Sequence, residues 1–314
     1  MRQVLTLTAV AVAIAGILLA TYIYSKKAEL PSTPSTAPHR VLVIKGSDTL
    51  VPMVSELARA FMNSHPNTTI VVQSGHSAAG IQALIDKQVD FIDSSRPMNA
   101  KEVASAKTAG LQVQEFVLAL DAVAVIVNPN NTLTNLSFKD LGSIYATNGP
   151  SWKKYNGQDA TIRVISPPDV SGTNTFFHDT VMGTSSFSGA TQYIENFAEI
   201  VAAVNSDKNA IAYVGVGYAR DAKGEVRPGL KVLSIGTSTR NLVSPLDETL
   251  VRSGRYPLAR PLYQYTATLP DKDSLAGEFL RFELSDQGQG IIRSMGFYTA
   301  NPDRLSQDRT LLGI

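Results

Sequence analysis

Short apolar runs alternate with stretches of helical spacing from residue 41 almost to the end of the chain, and this alternation limits the fold more than any other feature. Val41-Leu42-Val43-Ile44 is unbroken apolar sequence, as in a strand buried on both faces. After Gly46-Ser47-Asp48-Thr49, apolar Leu50, Val54, Leu57 and Phe61 follow at helical spacing, with Pro52 in the first turn and Asp48 or Thr49 as the expected N-cap. The same logic predicts strands over 69–72, 88–92, 161–165 and 210–214. It predicts helices after Gly75, over 138–146 and over 173–181, and a capping box of Asn99 with Glu102 on a short helix ending at Gly110. Strands at 113–118 and 122–127 are separated only by Ala119-Leu120-Asp121, and a crossing between two halves of the molecule is expected there. Strands spaced by helices of about 10–15 residues indicate βαβ units and a mostly parallel sheet, an α/β fold.

Composition narrows the function. The 28 Lys+Arg residues nearly balance 27 Asp+Glu, which argues against a nucleic-acid partner and its basic face. With no cysteine there is no disulfide or thiolate chemistry, and His39, His65, His76 and His178 lack metal-ligand spacing. No metal or other cofactor is expected. No Walker-type phosphate loop and no Gly-x-Ser-x-Gly elbow is present, so no catalytic residues are assigned.

The N-terminus reads separately. Residues 4–24 carry no charge, a stretch long enough to span a bilayer core of about 30 Å. It ends in bulky Thr21-Tyr22-Ile23-Tyr24, unlike a small-residue cleavage site, so residues 1–28 are expected to be an uncleaved signal anchor, a transmembrane helix, with a cleaved signal peptide as the alternative. Residues 29–40, rich in Pro, Ser and Thr, are expected to be an extended linker.

Three segments share one design: Gly46-Ser47-Asp48-Thr49, Gly75-His76-Ser77-Ala78-Ala79-Gly80 and Val170-Ser171-Gly172-Thr173. In each a strand ends, glycine follows, and a helix begins on hydroxyl-bearing residues. Free N–H groups at a helix start stabilise an anion, glycine allows close approach, and Ser or Thr adds a neutral donor. A fourth segment, Ser94-Ser95-Arg96-Pro97-Met98, adds Arg96, whose guanidinium could fork onto an oxyanion. Each hydroxyl alone could be an ordinary cap. Asp48 is read either as a helix cap or as an acceptor for the O–H of a protonated oxyanion.

With Val89-Asp90-Phe91, Ala210-Ile211-Ala212-Tyr213-Val214-Gly215, Tyr256-Pro257-Leu258-Ala259-Arg260-Pro261-Leu262-Tyr263 and Leu284-Ser285-Asp286-Gln287-Gly288, these segments resemble the phosphate-binding receptors of phosphate ABC importers. Those receptors are type II periplasmic solute-binding proteins. The resemblance runs from about residue 41 to 299 and implies a two-lobed fold, each lobe a mostly parallel sheet flanked by helices, with the ligand in the cleft between lobes. It divides the chain into lobe I, residues 41–120 and 236–314, and lobe II, residues 121–235. It implies ligand donors at Asp48, Thr49, Ser77, Ser95, Ser171, Gly172 and Thr173. The sequence departs from the family at Ser166-Pro167-Pro168-Asp169, where an arginine is usual, and Arg96 is the candidate replacement. His76 stands where the family prefers glycine.

The implied function is a periplasmic or cell-surface receptor, not an enzyme, anchored to the membrane by its N-terminus. It would bind a tetrahedral oxyanion, phosphate first, by lobe closure as a monomer and deliver it to an ABC importer permease. The alternatives are a membrane-anchored oxyanion sensor or surface interaction module and, less favoured, a phosphoester hydrolase using Ser77 or Thr173.

Overall fold

A computed structural model describes residues 38–314. The expected anchor at residues 1–28 and most of the linker lie outside the described residues. Arg40 is not linker: it opens the first strand and its guanidinium forms a two-point ion pair with Glu278, at 2.7 and 3.1 Å. Among the described residues, no helix is long and apolar enough to cross a membrane.

Residues 40–314 form one compact unit built on a ten-stranded sheet. Its elements are β1 (Arg40–Gly46), β2 (Thr68–Ser74), β3 (Phe91–Ser94), β4 (Gln114–Val127), β5 (Asn135–Ser137), β6 (Arg163–Ser166), β7 (Gln192–Tyr193), β8 (Ala210–Gly215), β9 (Lys231–Val232), β10 (Ser234–Gly236), β11 (Ala259–Thr266) and β12 (Tyr298–Thr299). The main path runs β2-β1-β3-β11-β4-β8-β6-β7, with β9 and β12 also on β4, and β5 pairs with β10 in a separate ribbon. β2, β1 and β3 are mutually parallel, as are β8, β6 and β7. Between these triplets lie antiparallel β11 and β4, so each outer half is parallel, as the βαβ pattern requires.

β4 is one strand of 14 residues, not the two expected. Ala119, Leu120 and Asp121 do not break it, because Leu262, Pro261 and Arg260 face them across the ladder. At Ala122 and Val123 the strand exchanges its partner β11 for β8. The sheet thus passes from one parallel half to the other inside a strand. β3 starts at Phe91, not at residue 88, for a local reason. The helix His76–Ile85 closes with Lys87 N–H on the Leu84 carbonyl and Gln88 N–H on the Ala83 carbonyl, with Lys87 at φ +58°. That is a Schellman turn, and it consumes the residues before β3.

The helix Val51–Ser64 buries Met53, Val54, Leu57, Ala58 and Phe61, a stripe at helical spacing facing the core. Phe61 meets Phe279 edge-on at 5.3 Å, joining this helix to Leu275–Leu284. Neither Asp48 nor Thr49 caps it; Leu50 is the N-cap residue and no side chain bonds there. The capping box of Asn99 with Glu102 is present on Ala100–Thr108, and the helix Phe138–Ala146 has the predicted bounds. The helix expected over 173–181 is α-helical only over Gly172–Phe177 and widens into a π-type turn over His178–Met182.

One buried group stands out behind β3. Asp93 and Glu283 both accept hydrogen bonds from Gln264 Nε2, each at 3.1 Å. Burial pushes the Asp93 carboxyl up to about 7, the Gln264 bond opposing it, and pushes Glu283 well above the carboxyl range, with Asp93 adding to the effect. The folded chain therefore holds protons that the unfolded chain releases near pH 4. The stability these groups contribute is fully present below about pH 4 and is lost as pH rises, for Asp93 through about 7. For one such group the loss is on the order of 4 kcal/mol at about 1.4 kcal/mol per pH unit. Thermal unfolding of wild type and Asp93→Asn between pH 5 and 8 checks this: the wild-type Tm should fall more steeply with pH, and parallel curves would refute it.

Candidate functional site

The strand ends dictate what can gather here. Ser47 and Thr49 follow β1, Ser77 lies in the first turn after β2, Ser95 follows β3, and Gly172 with Thr173 opens the helix after β6. These are the carboxyl ends of parallel strands from both halves of the sheet, where open α/β sheets collect ligands. The four segments do come together. Ser47 Oγ donates to Ser95 Oγ at 2.9 Å, Ser77 and Ser95 hydroxyls lie 3.2 Å apart, and the Ser95 amide donates to Ser77 Oγ at 3.1 Å. From the other half, Thr173 Oγ1 meets Thr49 Oγ1 at 2.9 Å. Ser47, Thr49, Ser77, Ser95 and Thr173 are all buried.

Gly172 is where the halves touch. A Cβ at this position would collide with the hydroxyl oxygens of both Ser77 and Ser95, so the close approach requires glycine.

Under the hydroxyls lies a residue that no local sequence pattern assigns to the site. Arg260, on β11, is 3% exposed and faces Asp121 directly across the β4 ladder. Its Nε and Nη2 donate to Asp121 Oδ2 at 3.1 and 2.9 Å. Nη2 also donates to Thr173 Oγ1 at 2.8 Å and Thr49 Oγ1 at 3.4 Å, and Nη1 to the Ser95 and Gly172 carbonyls at 3.0 and 3.3 Å. One guanidinium thus touches segments from both halves. Burial lowers its pKa from the usual value and the Asp121 carboxylate opposes that; a guanidinium stays charged in either case. Asp121 Oδ1 accepts from the Val216 amide at 2.8 Å, which completes its own partners. The available signal was the chain pattern: Asp121 is the lone charge in the apolar run 117–127. A charge in such a run is buried and so needs a partner.

The remaining expected residues stand elsewhere. Ser171 is an N-cap, its Oγ accepting from the Thr173 amide at 3.2 Å. The Asp48 carboxylate accepts from Ser74 Oγ and faces His76. The Arg96 guanidinium binds Glu102 through two bonds, at 2.8 and 2.7 Å, and the Pro97 carbonyl at 3.0 Å. Burial opposes the Glu102 charge, but the bonds from Arg96 and the Asn99 amide prevail and hold its pKa below the ordinary value. Arg96 lines a flanking cavity of about 690 Å³ with Ala78, Met98, Val170 and Phe176, and the Phe176 ring has Arg260 on it at 5.3 Å. Among the described residues, no group of three or more His, Cys, Asp or Glu side chains is placed to hold a metal.

This arrangement gathers five hydroxyls and a guanidinium, the latter paired to the Asp121 carboxylate. Such a set suits a small anion. Fold and site together define an α/β binding protein whose two sheet halves meet over the donor groups. Residues 32–287 match the model described as a PBP superfamily domain. A phosphate-binding protein of Staphylococcus epidermidis is 30% identical over 264 residues, covering 83% of this chain and 78% of that protein. Among solved structures, a putative phosphate ABC transporter substrate-binding protein with bound phosphate from Clostridium perfringens superposes with a TM-score of 0.70 at 24% identity, covering 83% of this chain and all of that one. A possible phosphate binding protein from Planctomyces limnophilus gives 0.64 at 26% identity, covering 88% and 99%. The chain belongs to the PBP superfamily, in the branch of the phosphate-binding receptors.

Removing only one member of the Arg260–Asp121 pair strands a buried charge. Arg260→Met should lower unfolding free energy by about 3–5 kcal/mol, and Asp121→Leu added to it should restore most of the loss. Urea denaturation of the two variants checks this; equal stability of single and double variants would contradict it.

Proposed function

We propose that this chain is the solute receptor of an ABC-type importer and holds a tetrahedral oxyanion, phosphate first, between two lobes. The single observation that carries this reading is the meeting of buried hydroxyls from both sheet halves over one shared guanidinium. The names of the S. epidermidis and C. perfringens relatives support phosphate as the ligand and an ABC transporter as the partner. On this reading the role is binding and not catalysis, and the receptor passes its ligand to a membrane permease.

The ligand set we infer is Thr49, Ser77, Ser95, Gly172 and Thr173, joined by Ser47 and Arg260. Ser171 holds the Gly172 turn as its cap, and Asp48 and Arg96 leave the set because their partners, Ser74 with His76 and Glu102 with Pro97, lie outside the hydroxyl cluster. On entering, the anion exchanges hydroxyl-to-hydroxyl bonds for charge-assisted ones, which are roughly twice as strong. The lobes are residues 40–120 with most of 236–314, and 121–235 with all of β10, which pairs with β5. The joint is the central pair β4 and β11. Affinity is then the contact energy less the cost of shifting the open population to the closed one. We place the receptor outside the cytoplasm as a monomer, tethered through residues 4–24 and a linker that gives it reach.

Calorimetry with phosphate, sulfate, molybdate and tungstate tests the reading. At least phosphate should bind with closure. Ser77→Ala and Thr173→Val should each weaken it by about 1–2 kcal/mol, while Arg96→Ala should leave Kd within about twofold. Titrations of all four anions without heat would sink the proposal, and a large loss in Arg96→Ala would restore that residue to the site.

A further inference from the structure

β2 and β7 stand at opposite ends of the strand order, yet the residues that follow them meet. His76, two positions after β2, has Nε2 2.8 Å from Oε2 of Glu195, two positions after β7. Its Nδ1 lies against the Asp48 carboxylate in an ion-pair contact that is off hydrogen-bond alignment. Neutral imidazole has one N–H and one lone pair, so one nitrogen would turn its lone pair on a carboxylate. Only the imidazolium attracts both carboxylates at once.

The backbone points the same way. His76 has φ +64°, in the left-handed region that costs glycine nothing and strains a side-chain-bearing residue. Strain of this kind persists where surrounding contacts over-determine it, and here those contacts are the two carboxylates. Lys45 and Tyr218 also approach this cluster. Lys45 of β1 reaches Gly75, its Cε 3.4 Å from where a Cβ there would stand, and the Tyr218 hydroxyl donates to the Asp48 carbonyl at 2.9 Å.

We propose that His76 is a proton-dependent clasp. As imidazolium it ties the segment after β2, where Asp48 also faces it, to the segment after β7 through a charge-assisted bond to Glu195, and so prolongs the closed state that holds the ligand; the neutral ring loses the charge assistance and the closure loosens. The clasp rests on the closing of two lobes proposed above and not on which anion they enclose. The Glu195 side chain is 76% exposed, so the tie is sensitive to salt and modest in size.

The test uses the full chain, wild type, Glu195→Gln and His76→Gly, at pH 6 and pH 8. The chain has no cysteine, so spin labels on Ala79→Cys and Ala198→Cys report the gap between the His76 and Glu195 sides without interference. Without added anion, the wild-type distance should lengthen from pH 6 to pH 8, while both variants should show the long distance at both. The ratio of the inorganic phosphate Kd at pH 8 to that at pH 6 should be about two- to fivefold larger in wild type than in either variant. Titration of phosphate itself is common to all three proteins and cancels in this comparison. If the label distances of both variants track wild type, the clasp is overturned whatever the anion does. If the distances respond as expected but no oxyanion binds, the clasp stands and the receptor reading falls.

Discussion

A single buried ion pair organises the molecule. Arg260 and Asp121 face each other across the β11–β4 ladder, at the point where the sheet passes from one parallel half to the other. An isolated charge in such surroundings would cost several kcal/mol, and the pair is tolerable because nearly every polar atom has a partner. Asp121 takes two bonds from Arg260 and one from the Val216 amide. The guanidinium spends its other donors on Thr49, Thr173 and the Ser95 and Gly172 carbonyls. The same group therefore fixes the centre of the sheet and the floor of the site, and the hydroxyls above it inherit their positions.

This explains how a chain with net charge of only +1 can serve an anion. Selectivity need not come from an excess of basic residues. Aligned neutral donors in a desolvated gap interact with an oxyanion far more strongly than they would in water, and the buried guanidinium beneath them holds those donors in place. Gly172 contributes by having no side chain, since any Cβ would hold the two sides apart.

What was legible in the sequence was local. Glycine and hydroxyl residues at strand ends, the helical stripe ending at Phe61 and the Asn99–Glu102 box all depend on neighbours within a few positions, and the structure contains each. The Arg260–Asp121 pair joins residues 139 positions apart, and no local pattern names the partner of a buried charge. Arg96 is the cation the sequence offers in place of the arginine missing before Ser171. Its guanidinium goes instead to Glu102, six residues on, whose capping role is a local pattern while its bond to Arg96 is not. Asp121 also made β4 look like two strands, since a charge in an apolar run resembles a turn until its cross-strand partner is known.

The most direct measurement is a crystal structure of the protein grown with phosphate. The account predicts one anion at the carboxyl ends of β1, β2, β3 and β6, within hydrogen-bond distance of Thr49, Ser77, Ser95 and Thr173, with the Arg260–Asp121 pair intact beneath it. An anion bound instead at Arg96, or hydroxyls still bonded to one another while phosphate occupies another surface, would contradict it.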